Sequence, residues 1–107
     1  MNRDLVRLKH VLDSIERIMD YVADGFADNK TEDAVIRQLE IIGEAVRNIS
    51  ADTKNNYPDV AWDKIIGMRN LLIHEYFRVE VETVWEAVQR DIPRLKDQVI
   101  HIISQNK

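Results

Sequence analysis

A short segment of the chain combines two side chains that could cleave a phosphodiester bond. Arg69 and His74 interrupt an otherwise apolar run. An imidazole can give or accept a proton at neutral pH, and a guanidinium can hold two phosphate oxygens in a bidentate fork. In RNA, the expected reaction is attack of a 2′-hydroxyl on the adjacent phosphate. His74 would move the proton, and Arg69 would stabilise the charge on the phosphorane.

This chemistry needs no metal ion, and the sequence has no obvious metal site. The other two histidines, His10 and His101, lie near opposite ends of the chain without co-ligands at metal-binding spacing. The chain has no cysteine, which excludes disulfides and thiolate ligands and fits a cytoplasmic setting. We therefore expect neither a metal nor another cofactor.

The spacing of Arg69 and His74 does not by itself bring the two side chains together. Five positions on an ideal helix rotate by about 500°, so the side chains would point about 140° apart. Asn70 and His74, four positions apart, do share a face. Either a local unwinding of the helix or a cleft completed by a second subunit could bring the guanidinium and the imidazole together. Alternatively, Arg69 and His74 only form structural hydrogen bonds on a buried helix.

The first half of the chain predicts two helices. Apolar residues recur at steps of three and four from Leu5 to Val22, which indicates a first helix that ends near Gly25. Thr31 provides a hydroxyl cap for a second helix that continues to about Ile49. Gly43, inside this helix, is interpreted mainly as a packing position, although it would also let another backbone approach closely.

The second half predicts a connector, a helix that carries the motif and a final kinked helix. Residues 50–58 are polar and form the connector, and the motif helix begins within residues 59–63. Because this third helix is apolar on more than one side, we expect it to be the most buried. The last helical region runs from Glu80 to about Ser104 and should kink near Pro93. The predicted fold is all-α, an antiparallel four-helix bundle.

Size and composition fit this fold. A chain of 107 residues is long enough for one core, so we predict a single domain over residues 1–107. No run approaches a membrane span or a signal peptide, which predicts a soluble protein with no membrane partner. The net charge of −4 argues against a protein that coats nucleic acid non-specifically through a broad basic surface. It allows a locally basic cleft near Lys64, Arg69 and Arg78.

The segment Ile66–Phe77, IGMRNLLIHEYF, resembles the signature of the HepT type of the HEPN superfamily. The shared pattern is Arg, four residues, His, one residue and Tyr, preceded by Ile-Gly-Met. Residues 33–45 resemble the second helix of that family, and residues 57–62 resemble its entry into the motif helix. The resemblance extends from Arg3 to about Val99, and the composite pattern is far more specific than Arg-x4-His alone.

The resemblance implies a metal-independent endoribonuclease that is the toxin of a toxin–antitoxin pair, with an RNA substrate and Arg69 and His74 as catalytic residues. It implies supporting roles for Asn70, the polar residue after the arginine, and for Glu44, an acid of the second helix. It also implies a homodimer in which two motifs face a shared cleft. The expected partner is an MntA-like nucleotidyltransferase antitoxin, which transfers AMP to the motif tyrosine, here Tyr76, and so silences the toxin.

Other interpretations compete with this one. The chain could be a non-catalytic helical partner subunit of a minimal nucleotidyltransferase, and its acidic net charge modestly favours a protein partner. Glu44 could be a solvated surface acid, and Tyr76 an amphipathic packing residue at a helix end. Trp62 and Trp85 are interpreted as core or interface anchors.

Overall fold

The computed structural model of the protein describes residues 2–26 and 28–106, and all of its regular elements are helical. The helices are α1 (Asn2–Tyr21), α2 (Asn29–Arg47), α3 (Ala51–Asn56), α4 (Trp62–His74), α5 (Val81–Glu86) and α6 (Ile92–Gln105). A 3₁₀ turn at Tyr76–Arg78 follows α4, and a π-helical turn at Ala87–Asp91 joins α5 to α6. The long segments α1, α2, α4 and α5–α6 confirm the predicted all-α bundle.

Capping moves the ends of the first two helices away from their predicted positions. The N-cap of α2 is Asp28 rather than Thr31, and its carboxylate accepts hydrogen bonds from the backbone N–H and the hydroxyl of Thr31 at 2.7 and 3.1 Å. These bonds lower the pKa of Asp28. α1 ends at Tyr21, before Gly25. Gly25 has a φ of 112°, which confirms the positive φ expected of a glycine that stops a helix.

The predicted connector over residues 50–58 contains the short helix α3. Ser50 caps it, and the buried carboxylate of Asp4 accepts hydrogen bonds from the hydroxyls of Ser50 and Thr53, both at 2.6 Å. Burial of Asp4 would raise its pKa, but the hydrogen bonds from Ser50 and Thr53 outweigh it and lower the pKa overall. This polar cluster attaches α3 to α1.

The core lies around α2, which packs against both α1 and α4. The fully buried large side chains come from all long helical segments: Leu8, Val11, Ile15, Ile18, Val35, Ile42, Val46, Leu72, Val84, Val99 and Ile102. Burying a side chain of this kind contributes about 1.5–3 kcal/mol. The packing therefore fixes α1, α2 and α4 relative to one another, and these three helices form the site described below.

The motif helix α4 is not the most buried helix, and that prediction is wrong. Only Trp62 and Leu72 of α4 are buried, whereas Ile73 is 43% exposed. One face of α4 packs on α2, and its other apolar side faces solvent in the single chain. The exposed apolar surface continues into the next turn with Tyr76 and Phe77, the latter 88% exposed. A helix with apolar residues on several sides can bury them against a second chain as well as in its own core.

The predicted kink in the last helix is confirmed. The π-helical turn Ala87–Asp91 lies just before Pro93, the second residue of α6. A proline nitrogen cannot donate a backbone hydrogen bond, and the wider π turn accommodates this gap. Trp62 is buried, and Trp85 stacks on Phe26 with ring centroids 4.9 Å apart, so both tryptophans pack in the bundle. Within the described ranges, no helix has the length and apolar character of a membrane span.

Candidate active site

Arg69 lies in the contact between α4 and α2, directly against Gly43. A Cβ atom built on Gly43 would overlap the Cβ of Arg69 and come within 2.7 Å of its Cγ. Such distances are far below ordinary carbon contacts of 3.5–4.0 Å. Glycine at position 43 therefore makes room for the arginine stem. This close approach is more specific than the general packing role that the sequence suggested.

The guanidinium of Arg69 is held by two neighbouring polar side chains. Its Nη2 lies 3.0 Å from Oε2 of Glu44, and its Nη1 donates to Oδ1 of Asn70 at 2.9 Å. The side chain is 16% exposed, and its buried Nε atom has no hydrogen-bond partner within the described part of the chain. The structure thus brings together Arg69, Glu44 and Asn70.

Glu44 contacts other polar groups besides Arg69. Its carboxylate lies 3.8 Å from Nη1 of Arg47 and accepts a hydrogen bond of 3.3 Å from the amide of Asn48. The Glu44 side chain is 51% exposed, so it is a solvated acid that also forms an ion pair with Arg69. These partners restrict the carboxylate, and through it they restrict the direction of the Arg69 guanidinium.

His74 is the last residue of α4 and is exposed to solvent. Among residues 2–26 and 28–106, no hydrogen bond or ion pair involves its imidazole. α4 remains helical from Trp62 to His74, so local unwinding does not bring His74 toward Arg69. In the single chain, the two side chains extend from different faces of α4. His74 is therefore not a buried structural histidine.

Tyr76 lies in the 3₁₀ turn after α4 and is 47% exposed. Its hydroxyl donates a hydrogen bond of 3.2 Å to Oδ1 of Asp33 near the start of α2. The negative charge of Asp33 raises the pKa of Tyr76, because a phenolate there would face a carboxylate. The phenol stays protonated at neutral pH, at the same end of α4 as His74. Tyr76 is thus not a fully packed residue.

An open groove of about 650 Å³ runs beside Arg69 between α1, α2 and α4. We call it the Arg69 groove. Its walls include Arg7, His10 and Arg17 from α1, and Arg37 from α2. We predicted no role for His10, because it lies far from the motif in the sequence. Only the packing of α1 against α2 places it in the same groove as Arg69. The described residues contain no group of three or more histidines and carboxylates placed to hold a metal ion.

The structure is an all-helical bundle in which the Arg-x4-His part of the motif lies at the C-terminal end of α4, with the motif tyrosine in the following turn. The model of the family described as ribonuclease HepT-like matches residues 8–102, and the chain belongs to this family. The chain is thus a HepT-like ribonuclease by family, which confirms the resemblance of its motif. No solved structure matches the chain.

Three relatives illustrate the range of the family. A probable ribonuclease HepT of Thermococcus cleftensis is 44% identical over 83% of this chain and 86% of its own length. A candidate RNase of Caldanaerobacter subterraneus is 38% identical over 94% of both chains. A protein of Methanocaldococcus jannaschii, named as a gamma-glutamylcyclotransferase and candidate RNase, is 38% identical over 98% of this chain. This chain spans half the length of that third relative.

Proposed function

We propose that the protein is a metal-independent endoribonuclease in which Arg69 and His74 are the catalytic residues. The observation that supports this best is the contrast between the two side chains. Arg69 is held in place by Glu44 and Asn70 at the edge of a groove, whereas His74 is exposed and free of protein partners in the described ranges. A fixed cation suits a phosphate, and a solvent-facing imidazole is available for proton transfer.

The proposed reaction breaks one P–O bond and forms another. His74 accepts the proton of a 2′-hydroxyl, and the 2′-oxygen attacks the adjacent phosphorus. Arg69 stabilises the negative charge of the phosphorane. The bond from phosphorus to the 5′-oxygen then breaks, and the departing oxygen takes the proton that the imidazole had accepted. The products carry a 2′,3′-cyclic phosphate and a 5′-hydroxyl, and no metal ion takes part.

A homodimer would solve the separation of Arg69 and His74 on α4. The exposed apolar side chains Ile73 and Phe77 flank His74 and offer a surface that a second copy of the chain would cover. In such a dimer, each His74 would face the motif of the partner, and both motifs would share one cleft. Asn70 and Glu44 would keep the arginine directed at the scissile phosphate.

The purified protein should cleave single-stranded RNA in the presence of EDTA and leave 2′,3′-cyclic phosphate ends. Mapping the ends of the fragments by gel and mass spectrometry would measure this. An RNA of the same sequence with 2′-O-methyl groups is the matched control and should remain intact, because its nucleophile is blocked. Fragments with 3′-hydroxyl ends, or cleavage that EDTA stops, would refute the mechanism. A folded wild type that cuts no RNA would instead favour the non-catalytic partner subunit.

Regulation by adenylylation of Tyr76 also fits the proposed site. The phenol is half-exposed and only two positions from His74, so an MntA-like nucleotidyltransferase antitoxin could reach it. AMP on this oxygen would add bulk and a negative phosphate next to the place where an RNA phosphate should bind. Charge repulsion and occlusion would then act together to silence the toxin.

A Tyr76→Phe variant should remain toxic when the antitoxin is co-expressed, because phenylalanine has no acceptor oxygen. The substitution loses one exposed hydrogen bond to Asp33, so the fold should persist. Growth curves and intact mass would show the toxicity and the missing AMP. Tyr21→Phe is the control, since Tyr21 is also exposed but lies on α1. This control protein should still receive AMP on Tyr76. Full adenylylation of the Tyr76→Phe variant would show that another residue is the acceptor.

A further inference from the structure

We propose that a stripe of polar side chains on α1, made of Arg7, His10 and Arg17, binds the backbone of a single-stranded RNA as it passes Arg69. This inference rests on the proposed ribonuclease function and adds a second part to the RNA site. All three side chains line the Arg69 groove, although they lie more than fifty positions before the motif. The motif alone therefore does not contain the whole substrate site.

Helical geometry aligns these three side chains. Positions 7, 10 and 17 fall within an arc of about 80° on an ideal helix, and they extend over about 15 Å along its axis. Ser14, which lies between them on the same stripe, also lines the groove. The neighbouring side of α1 packs into the core through buried apolar residues, so the stripe lies at the edge of the buried face. α1 thus presents a continuous polar edge along the groove, rather than one isolated charge.

The charges along the groove are not fully neutralised. Four arginines and three acids line it. Arg37 lies 3.6 Å from Glu40, and Arg69 lies 3.0 Å from Glu44, so these two arginines have acidic partners. Arg7 and Arg17 form no ion pair within the described ranges. Asp13, the third acid, lies on the same wall and also forms no ion pair within the described ranges, so the lining keeps one more arginine than acids. In a chain with a net charge of −4, this local excess of guanidinium groups points to an anionic ligand.

The chemistry of the groove favours a phosphate backbone over other anionic ligands. The backbone positions of Arg7 and Arg17 lie about 15 Å apart along α1, which suits two separate phosphates of one strand better than a single phosphate. The groove has about the volume of a pocket for a drug-sized ligand, which is enough for one or two nucleotides and too small for a duplex. His10, between the arginines, can donate a hydrogen bond to a phosphate or a ribose oxygen.

The groove also indicates how selective this binding should be. No Phe, Tyr or Trp is among its described lining residues, so bases lack the large aromatic stacking platform that single-strand binding proteins use. Ile41 and Ile73 offer only apolar contacts. Binding along α1 should therefore depend on phosphates, be strongly sensitive to salt and show little sequence preference. Selection of the cleavage site would then depend on groups near the motif.

The test measures binding separately from cleavage. The probe is a fluorescent, fully 2′-O-methylated oligonucleotide of about 12 nucleotides, which lies in the range of known single-strand site sizes and cannot be cut. Fluorescence anisotropy would follow its binding to the wild type, to an Arg7→Gln/Arg17→Gln variant and to a Lys9→Gln/Arg94→Gln control. The control removes the same charge from exposed positions outside the Arg69 groove, and Lys9 lies on the same helix as the arginines.

The Arg7→Gln/Arg17→Gln variant should bind about 25-fold more weakly near 0.1 M salt, and the slope of log K against log salt should fall by about 1.4. These values correspond to two lost single-strand phosphate contacts at about 0.7 each. The control should keep the wild-type slope. Equal slopes for all three proteins, or no binding by the wild type, would refute the proposal.

Light scattering and an RNA cleavage assay separate the proposed RNA binding from a role of the stripe in a protein interface and from the proposed nuclease function. If the wild type is a dimer and the Arg7→Gln/Arg17→Gln variant is a monomer by light scattering, the stripe belongs to a protein interface and the proposal is wrong. Cleavage of unmodified RNA by the wild type reports on the proposed function independently. If the wild type cuts RNA and the Arg7→Gln/Arg17→Gln variant binds the probe like the control, the proposed RNA binding by the α1 stripe is wrong and the proposed nuclease function stands.

Discussion

Replacing His74 with alanine should lower the rate of RNA cleavage by about 10³-fold and leave the fold unchanged. General acid–base catalysis by one positioned side chain contributes about 10²–10⁴-fold, and His74 is the only histidine of the motif. Its imidazole is exposed and has no hydrogen-bond partner within residues 2–26 and 28–106, so its removal leaves no buried polar group without a partner. The stability change should therefore stay within about 0.5 kcal/mol.

The matched control for His74→Ala is His101→Ala. His101 is also exposed on a helix, and its ring only approaches Tyr57 edge-on at 6.3 Å. We expect the control to cleave RNA at the wild-type rate. In cells without the antitoxin, the wild type and the control should arrest growth and degrade RNA, whereas His74→Ala should do neither. If His74→Ala is folded and as toxic as the control, His74 is not the proton-transfer group.

The pattern of apolar residues predicted the long helices well, because helical periodicity is a local property. The short helix α3 was not predicted, because its six residues contain no repeat of apolar side chains that would indicate a helix. Its stability depends on Asp4, which is more than forty positions away in the sequence. The start of α2 was also misplaced, because Asp28 and Thr31 are both good caps and only the hydrogen bonds decide between them.

The candidate site residues could be chosen from the sequence, whereas their arrangement could not. The types and spacing of Arg69, His74 and Tyr76 were visible in the sequence, and the family match confirms the resemblance that they carry. The roles of the three residues stay predictions. The ion pair between Arg69 and Glu44 joins two helices and depends on their packing. His10 lines the Arg69 groove only because α1 and α2 pack side by side. Neither contact follows from spacing along the chain.

The excess of apolar residues on α4 was interpreted as burial within one chain. The structure leaves Ile73, Tyr76 and Phe77 exposed around His74 instead. This surface and the separation of Arg69 from His74 are explained by the same proposal, a second copy of the chain against α4. A sequence pattern records that a residue is apolar and does not record which chain covers it.

Replacing Gly43 with alanine should destabilise the protein by about 2–3 kcal/mol, the upper part of the range for an overpacked core. The added methyl group would overlap Cβ of Arg69, an atom fixed to the backbone, so α4 must shift relative to α2. This shift would also move the guanidinium away from Glu44, and RNA cleavage should fall at least tenfold. Thermal or urea unfolding and a cleavage assay would measure the two effects.

Gly67→Ala is the matched control, because it places the same methyl group on α4 where, among the described residues, nothing beyond its own helical turn lies within 4 Å. It should be neutral or stabilise the protein by up to about 1 kcal/mol, as alanine favours a helix more than glycine does. A Gly43→Ala/Arg69→Gly double variant removes the overlapping Cβ atom. It should be more stable than the sum of the two single changes predicts, yet remain inactive. If Gly43→Ala is as stable and active as the wild type, the contact between Gly43 and Arg69 does not position the arginine.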